Sequence, residues 1–309
     1  MPPRLIINAD DFGLTPGINR AIAELHQARA LTSTTLMATG PAFDDAVAIA
    51  RANPTLGVGC HIVLTDGVPA SAPQSIPTLL GPDGKTFRPS IIDFIQALLR
   101  GKISQDDIKR EAFAQIQKLQ RAGIDVTHID THKHTHLFPG VARPLLHVAE
   151  RCSVGAIRHP FEQSWSLALG HGNRVRRLQV KLLGGLKTWF ERQPPIRDAH
   201  ILTTSGTIGI SATGNLYGQT LHEILHAMPA VGTFELVCHP GYNDSDLDRI
   251  ATRLRTHRDI ERNALLVELP ALALHPNAPQ LINYGDLRAD NALRESGQSV
   301  AETGHERVL

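Results

Sequence analysis

The stretch RLIINADDFGLTPGINRAIAEL, residues 4–25, holds the pattern from which we predict the fold. Residues 5–7 form a short apolar run of the kind found in a buried strand. Thr15 followed by Pro16 is a typical helix start, and apolar residues follow it at helical spacing. The stretch therefore predicts one strand that leads into one helix, which is the repeating unit of a parallel sheet.

The same alternation continues through the chain. At this length it predicts an α/β fold, with a (β/α) TIM-like barrel or a barrel-like variant ahead of a doubly wound sheet. No GxGxxG or GxxxxGK[ST] stretch is present to favour the latter. Further strands are predicted within 31–40, 56–65, 125–136, 154–160, 200–204 and 232–241, and helices at about 41–54, 104–120, 141–152, 216–228 and 249–267.

The 309 residues are predicted to form one domain, 1–286, followed by a polar, poorly ordered tail, 287–309. A segment at about 162–198 interrupts the alternation and is predicted to be a helical insertion. It is either packed on the barrel or forms a basic amphipathic helix that lies on an anionic membrane or covers a lipid-like substrate. Its apolar face consists of Val175, Leu178, Leu182, Leu186 and Trp189.

The composition narrows the class of partner. A formal net charge of +1 gives no electrostatic reason to expect nucleic acid, while 16 histidines supply many candidate metal ligands. Three cysteines, an odd number without zinc-type spacing, argue against a disulfide framework, and the N-terminal apolar run is too short for a signal peptide. No stretch is apolar for long enough to span a membrane, so we predict a cytoplasmic protein whose membrane contact would be peripheral.

Polar clusters stand at the ends of four predicted strands. They are Asp10 with Asp11, His61, the 130–136 run and His239. In a barrel the carboxyl ends of the strands meet at one rim, which is where such enzymes place their active sites. A single histidine at a strand end is most often structural, but the convergence of four clusters predicts a shared functional site.

The run DTHKHTH, residues 130–136, contains more imidazole than one metal ion needs. If the chain is extended here, the side chains of alternate residues share one face. We predict that part of the run binds metal while the rest orients ligands or contacts substrate; the alternative is a solvated histidine-rich loop. The alternate residues are Asp130, His132, His134 and His136.

One carboxylate and two histidines would leave positions open on a divalent ion for water and a substrate oxygen. The paired aspartates suit this arrangement. One binds the ion while its neighbour, kept ionised by the positive charge, accepts a proton from the attacking water. Spacing alone does not say which of Asp10 and Asp11 takes which role.

Four motif-like stretches occur in order along the chain: NADDFGLTPGIN, GCHIVLTDG, THIDTHKHTH and ELVCHPG. They resemble the successive motifs of the YdjC-like (ChbG/HpnK) carbohydrate deacetylases, and the resemblance runs from residue 5 to about 265. Two departures are mild, since Thr131 stands where the family commonly has serine and 162–198 is longer than in compact members. The resemblance implies a metal-dependent hydrolase on a distorted TIM-like barrel that removes an acetyl group from an N-acetylated sugar.

By motif position, the resemblance implies that Asp11, His61 and His132 bind one divalent metal ion, Mg²⁺ or Zn²⁺, with Mn²⁺ as a further option. It implies that Asp10 is the general base. His239 would be the acid that protonates the departing amine, or a group that holds the tetrahedral intermediate.

Other motif residues are expected to support the site or to contact substrate. Asp130 is predicted to orient the metal ligands, and His134 and His136 to contact substrate. Arg158, at the end of GAIRH, resembles the family's strand-end arginine and is predicted either to contact the sugar or to be a structural ion-pair partner. The family resemblance also permits a homodimer.

Two other classes of protein remain open. Another metal-dependent amidohydrolase, or a phosphodiesterase, on the same barrel would also use carboxylates and histidines, although amidohydrolases usually present an HxH pair on the first strand. A non-catalytic carbohydrate-binding protein is the second alternative, disfavoured by the presence of only two tryptophans. Among deacetylase substrates, N-acetylglucosamine oligosaccharides suit compact family members, while HKHTH and 162–198 resemble the hopanoid-associated branch and imply a hopanoid-linked glycolipid.

Overall fold

The computed structural model describes residues 3–169, 174–289 and 291, and for 174–177 the backbone alone. Within these residues seven parallel strands form one sheet in the order β4-β3-β2-β1-β6-β5, and β7 pairs with the start of β1. The strands are Arg4–Phe12 (β1), Ser33–Leu36 (β2), Gly57–Ile62 (β3), Ile129–Thr131 (β4), Gly206–Ile208 (β5), Thr233–Cys238 (β6) and Gln280–Leu281 (β7).

Helices connect these strands, and two of them begin where the sequence predicts. Thr15 caps the first helix by accepting a hydrogen bond from the Ile18 N–H, and Ser104 caps another by accepting from the Asp106 N–H. The helices are Pro16–Gln27 (α1), Phe43–Ala52 (α2), Ile91–Leu99 (α3), Gln105–Arg121 (α4), Pro139–Arg151 (α5), Ser164–Leu169 (α6), Arg174–Leu183 (α7), Lys187–Glu191 (α8), Pro194–Arg197 (α9), Gly218–His226 (α10) and Thr256–Ala273 (α11).

The gap between β4 and β5 is spanned by residues 156–162, which form isolated parallel bridges to both sides. The predicted strand at 154–160 is therefore present as single bridges and not as a continuous ladder. This arrangement confirms the predicted α/β fold and is consistent with a distorted TIM-like barrel. The bridges join Ile129 with Ile157, Ala156 with Leu202, and Glu162 with Thr207.

Alternate residues of β1 pack into two different apolar clusters. Leu5 and Ile7 belong to the large core, whereas Ile6 packs with the chain segment that follows β7. That segment is helical at 284–289, and its Leu287 is buried. The packed chain thus extends beyond the predicted domain boundary at 286. Of the rest of the predicted tail, residue 291 is described, and residues 290 and 292–309 lie outside the described residues.

The insertion at 162–198 contains α6 to α9, and its two halves differ in how far they are buried. Its C-terminal half is packed, because Phe190 is buried in the core and Trp189 lies against it. On α7, in contrast, Leu178 and Leu182 are 57% and 72% exposed. Val175 of the predicted apolar face lies outside the described side chains.

Two further predictions of secondary structure differ from the structure. The charged helix predicted at 249–267 is found at 256–273, and its first turn has no side-chain cap, so the sequence carries no start signal. Strand β5 follows the predicted 200–204 segment instead of coinciding with it. In the described part of the chain, no helix combines the length and apolar character needed to cross a bilayer.

Candidate metal centre and active site

The end of β1 brings two consecutive carboxylates into one buried site. Successive strand residues normally face opposite sides of a sheet. Here Asp11 has a positive φ of 66°, and the pairing of β1 with β2 shifts register between Ala9 and Phe12. This irregularity turns the chain so that Asp10 and Asp11 both approach His61. Both aspartates are buried.

Asp11, His61 and His132 place one ligand atom each at a common point. Asp11 Oδ1 lies 3.6 Å from His61 Nε2 and 3.4 Å from His132 Nδ1. The two nitrogen atoms are 3.3 Å apart. Ligand atoms bound at about 2.1 Å to a four-coordinate ion are separated by about 3.4 Å. The three residues that the resemblance implies as ligands are therefore spaced as the ligands of one ion would be.

His61 is oriented by a carboxylate behind it. Its Nδ1–H donates to Asp130 Oδ1 at 2.7 Å, and the Thr35 hydroxyl donates to Asp130 Oδ2 at 3.1 Å. Burial opposes the charge on the imidazole, but the carboxylates of Asp130, Asp10 and Asp11 overcome burial and raise the pKa of His61 to about 9. A carboxylate behind a histidine that faces a metal position is the usual way in which such a ligand is held.

A second group of possible ligand atoms, from Asp10, His61 and Asp130, lies beside the first. Arg158 already donates to Asp10 and forms an ion pair with Asp130, at 2.5 Å between its Nη1 and Asp130 Oδ2. His61 turns its Nδ1–H towards this group and its Nε2 towards Asp11. The set formed by Asp11, His61 and His132 is thus the better candidate for a divalent ion.

Arg158 is fully buried and joins three carboxylates. Its Nη1 and Nη2 donate to the two oxygens of Asp10 at 3.0 and 2.7 Å, and its Nε donates to Glu235 Oε1 at 2.8 Å. Burial tends to raise the pKa of Asp10, but the Arg158 charge overcomes it and holds that pKa far below its usual range. Arg158 thus forms buried ion pairs, and its predicted contact with the sugar stays a prediction.

His239 follows β6, and its Nε2 lies 3.7 Å from Asp10 Oδ2. Its backbone N–H donates to Glu261 Oε2 at 2.6 Å. Burial raises the pKa of Glu261 to about 7, although it accepts hydrogen bonds from the backbone N–H groups of His239 and Gly214. Glu261 lies on α11, so this helix positions the histidine.

Arg258, also on α11, is a site residue that the sequence analysis missed. Its Nη2 donates to Asp11 Oδ2 at 2.6 Å, and the side chain is almost completely buried. Burial and the Arg258 charge act in opposite directions on Asp11, and the result is a pKa well below the usual range. A separation of 247 residues between the partners leaves no local pattern from which the contact could be predicted.

The histidine-rich run is not extended, which corrects the geometry on which its prediction rested. After Thr131 the chain forms a 3-10 turn, His132–Leu137, in which Lys133 and His134 have φ of 56° and 52°. His132 joins the candidate metal centre, while His136 is buried and its Nδ1 lies 2.6 Å from the Thr131 hydroxyl. Serine could make the same hydrogen bond, so Thr131 is a mild departure from the family pattern.

His134 and His136 leave ring nitrogens available near the candidate centre. Among the described residues, His134 Nδ1 and His136 Nε2 have no hydrogen-bond partner although both atoms are buried. Burial lowers the pKa of both imidazoles, that of His136 to about 3, so both rings are neutral. Neutral rings with open nitrogens suit recognition of hydroxyl or amide groups.

The parallel sheet and the buried cluster of carboxylates and histidines define an α/β barrel-like protein with a candidate divalent-metal centre. The family described as YdjC-like protein matches residues 4–271. The chain belongs to this family.

Individual relatives agree with this membership. The chain is 31% identical to a carbohydrate deacetylase of Brevibacillus brevis over 284 residues, which covers 92% of this chain and 99% of that protein. It is 40% identical over 151 residues to a carbohydrate deacetylase of Geobacillus stearothermophilus, covering 49% of this chain and 58% of the relative. A solved structure from Enterococcus faecalis, assigned to cellobiose-phosphate cleavage, superposes with a TM-score of 0.70 at 25% identity and covers 93% of this chain and 99% of that one.

Proposed function

We propose that this protein is a divalent-metal-dependent carbohydrate deacetylase that hydrolyses the acetamide of an N-acetylated sugar. The observation that carries the proposal is the convergence of Asp11, His61 and His132 beside Asp10 and His239 at one buried site. Membership of the YdjC-like family and the relatives named carbohydrate deacetylases support it.

Asp11, His61 and His132 would hold the ion, with Asp130 orienting His61. The donor set of one carboxylate and two imidazoles suits Zn²⁺, Mn²⁺ or Mg²⁺, and we propose one ion per chain. A bound divalent ion would polarise the acetamide carbonyl and lower the pKa of a water molecule.

Asp10 is the proposed general base. Arg158 keeps its carboxylate ionised and fixes its orientation, so Asp10 is ready to accept a proton from the attacking water. Because the low pKa makes Asp10 a weak base, the proton must pass on quickly. His239 lies 3.7 Å away and is the proposed group that receives the proton and delivers it to the departing amine.

The proposed substrate class is an N-acetylglucosamine-containing oligosaccharide or glycolipid. His134 and His136 are the proposed substrate contacts, because each has a buried ring nitrogen that no described residue binds. Exposed Leu178 and Leu182 on α7 support a lipid-linked substrate, of which a hopanoid glycolipid is one form.

The catalytic proposal is tested by acetate release from N-acetylated chito-oligosaccharides with the wild type and Asp10→Asn. We expect kcat to fall at least about 100-fold in Asp10→Asn, because the base is removed. Bound metal is measured on the same samples and should be retained. An Asp10→Asn protein with near-normal turnover would contradict the role of Asp10.

The lipid proposal is tested with Leu178→Gln/Leu182→Gln. Deleting the insertion would remove the buried Phe190, whereas these two exposed side chains can be changed without opening the core. We expect weaker turnover of lipid-linked sugar and unchanged turnover of soluble sugar. Leu274→Gln, at another exposed leucine, is the matched control. If the double variant kept the same fraction of wild-type turnover on lipid-linked and on soluble sugar, the lipid proposal would be wrong.

A further inference from the structure

Helix α10 carries the sequence HEILH at residues 222–226, which has the H-E-x-x-H spacing of zinc-binding helices. His222 and His226 are four residues apart, and their rings stack with centroids 3.9 Å apart on an exposed face. Helix α11 packs beside this face, and its Glu268 contacts His222. Glu268 lies ten residues beyond Arg258, which is about 15 Å along a helix. The pair formed by His222 and His226 is thus separate from the candidate metal centre.

In the part of the chain that the structure describes, the hydrogen bonds of the two histidines use Nδ1 of each ring and leave Nε2 open. His222 Nδ1–H donates to Glu268 Oε2 at 3.0 Å, and His226 Nδ1–H donates to the His222 carbonyl oxygen at 2.9 Å. A carbonyl oxygen accepts only, so the proton of a neutral His226 ring is on Nδ1. This is the arrangement in which metal-binding histidines are usually held, with Nδ1–H bound behind and Nε2 facing the ion.

We propose that His222 and His226 chelate a second divalent transition-metal ion through their Nε2 atoms, with His275 as a third ligand. The His275 ring lies edge-on to His226 with centroids 5.7 Å apart. His275 is exposed and can rotate towards the pair, giving up the hydrogen bond that its Nδ1 accepts from the Asn277 N–H. Imidazole donors select Zn²⁺, Ni²⁺ or Cu²⁺ over Mg²⁺.

In the proposed site the third ligand, His275, moves into place only when the ion binds. Among the described residues, groups of three ligands already within 4.8 Å of one another occur at the candidate catalytic centre and not at this helix. An exposed helix face offers no enclosed space for a substrate, so no hydrolytic role is given to Glu223 of the motif.

The test is equilibrium dialysis of the full chain against Zn²⁺, with ions per chain measured by mass spectrometry. At micromolar zinc we expect His222→Ala and His226→Ala each to bind one ion fewer per chain than the wild type, or to bind the second ion at least about tenfold more weakly. Each variant lacks one of the two imidazoles that chelate this ion. His200→Ala, at an exposed histidine that contacts Glu150 on another surface, should bind zinc as the wild type does.

His132→Ala separates this site from the catalytic proposal, because it should lose the catalytic ion and retain the surface ion. Acetate release by His222→Ala should be unchanged. Zinc binding by His222→Ala and His226→Ala with wild-type number and affinity would overturn the proposal.

Discussion

Asp10 and Asp11 are adjacent in the chain but differ in how their carboxylates are bound. Arg158 holds both oxygens of Asp10 within a buried network of acidic groups. Arg258 holds only Oδ2 of Asp11, and Oδ1 faces the two histidines of the candidate metal centre. The difference indicates how a chain can use two neighbouring aspartates for two roles. The Asp11 carboxylate, with one oxygen directed at two imidazoles, suits a metal ligand. The Asp10 carboxylate, with both oxygens bound by Arg158, stays ionised beside it.

Arg158→Met removes the cation that holds Asp10 and should change stability most. Asp10, Asp130 and Glu235 would remain buried without their shared cation. We expect the free energy of unfolding to fall by about 3–5 kcal/mol, as when one partner of a buried ion pair is removed. Denaturant unfolding measures this change. Arg197→Met, which removes a surface ion pair with Asp198, is the control and should leave the midpoint unchanged. A small effect of Arg158→Met would show that the network is not required for folding.

A smaller effect is expected from Glu261, which supports His239 from α11. The folded chain keeps a proton on Glu261 up to about pH 7, while the unfolded chain releases it near the ordinary value of 4.5. Between these values the folded state binds more protons, so this group makes stability fall as pH rises. Glu261→Gln removes the titrating group. Between pH 4.5 and about pH 7 we therefore expect the free energy of unfolding of the variant to fall by up to about 3 kcal/mol less than that of the wild type. Parallel curves of unfolding free energy against pH for the two proteins would contradict the assigned burial effect.

Much of this arrangement follows from local sequence, because strand ends and helix starts depend on neighbouring residues. The apolar run before Asp10 and the Thr15–Pro16 pair predict β1 and α1 correctly. The shared rim of a barrel then predicts that the polar clusters at the strand ends meet, and the family resemblance singles out three residues. The structure brings these three together: Asp11, His61 and His132.

The remaining features depend on contacts between distant segments. The positive φ of Asp11 is stable only within the packed site, and nothing in NADDFG reveals it. Arg258 and Glu261 were predicted to lie on a long charged helix, and their burial results from its packing against the barrel end. For the same reason the extended geometry assumed for 130–136 was wrong, since two left-handed residues redirect the run after His132.

We propose that Asp11, His61 and His132 bind one divalent ion while Asp10 acts beside it as the general base. The most direct test measures metal per chain by mass spectrometry after loading with Zn²⁺, Mn²⁺ or Mg²⁺ and gel filtration, on His222→Ala protein so that the proposed surface site does not contribute. We expect one ion per chain in that background, one with Asp10→Asn added, and none with His132→Ala added. Two results would contradict the assignment of the metal ligands. One is equal metal content with and without His132→Ala; the other is loss of the ion when Asp10→Asn is added but not when His132→Ala is added.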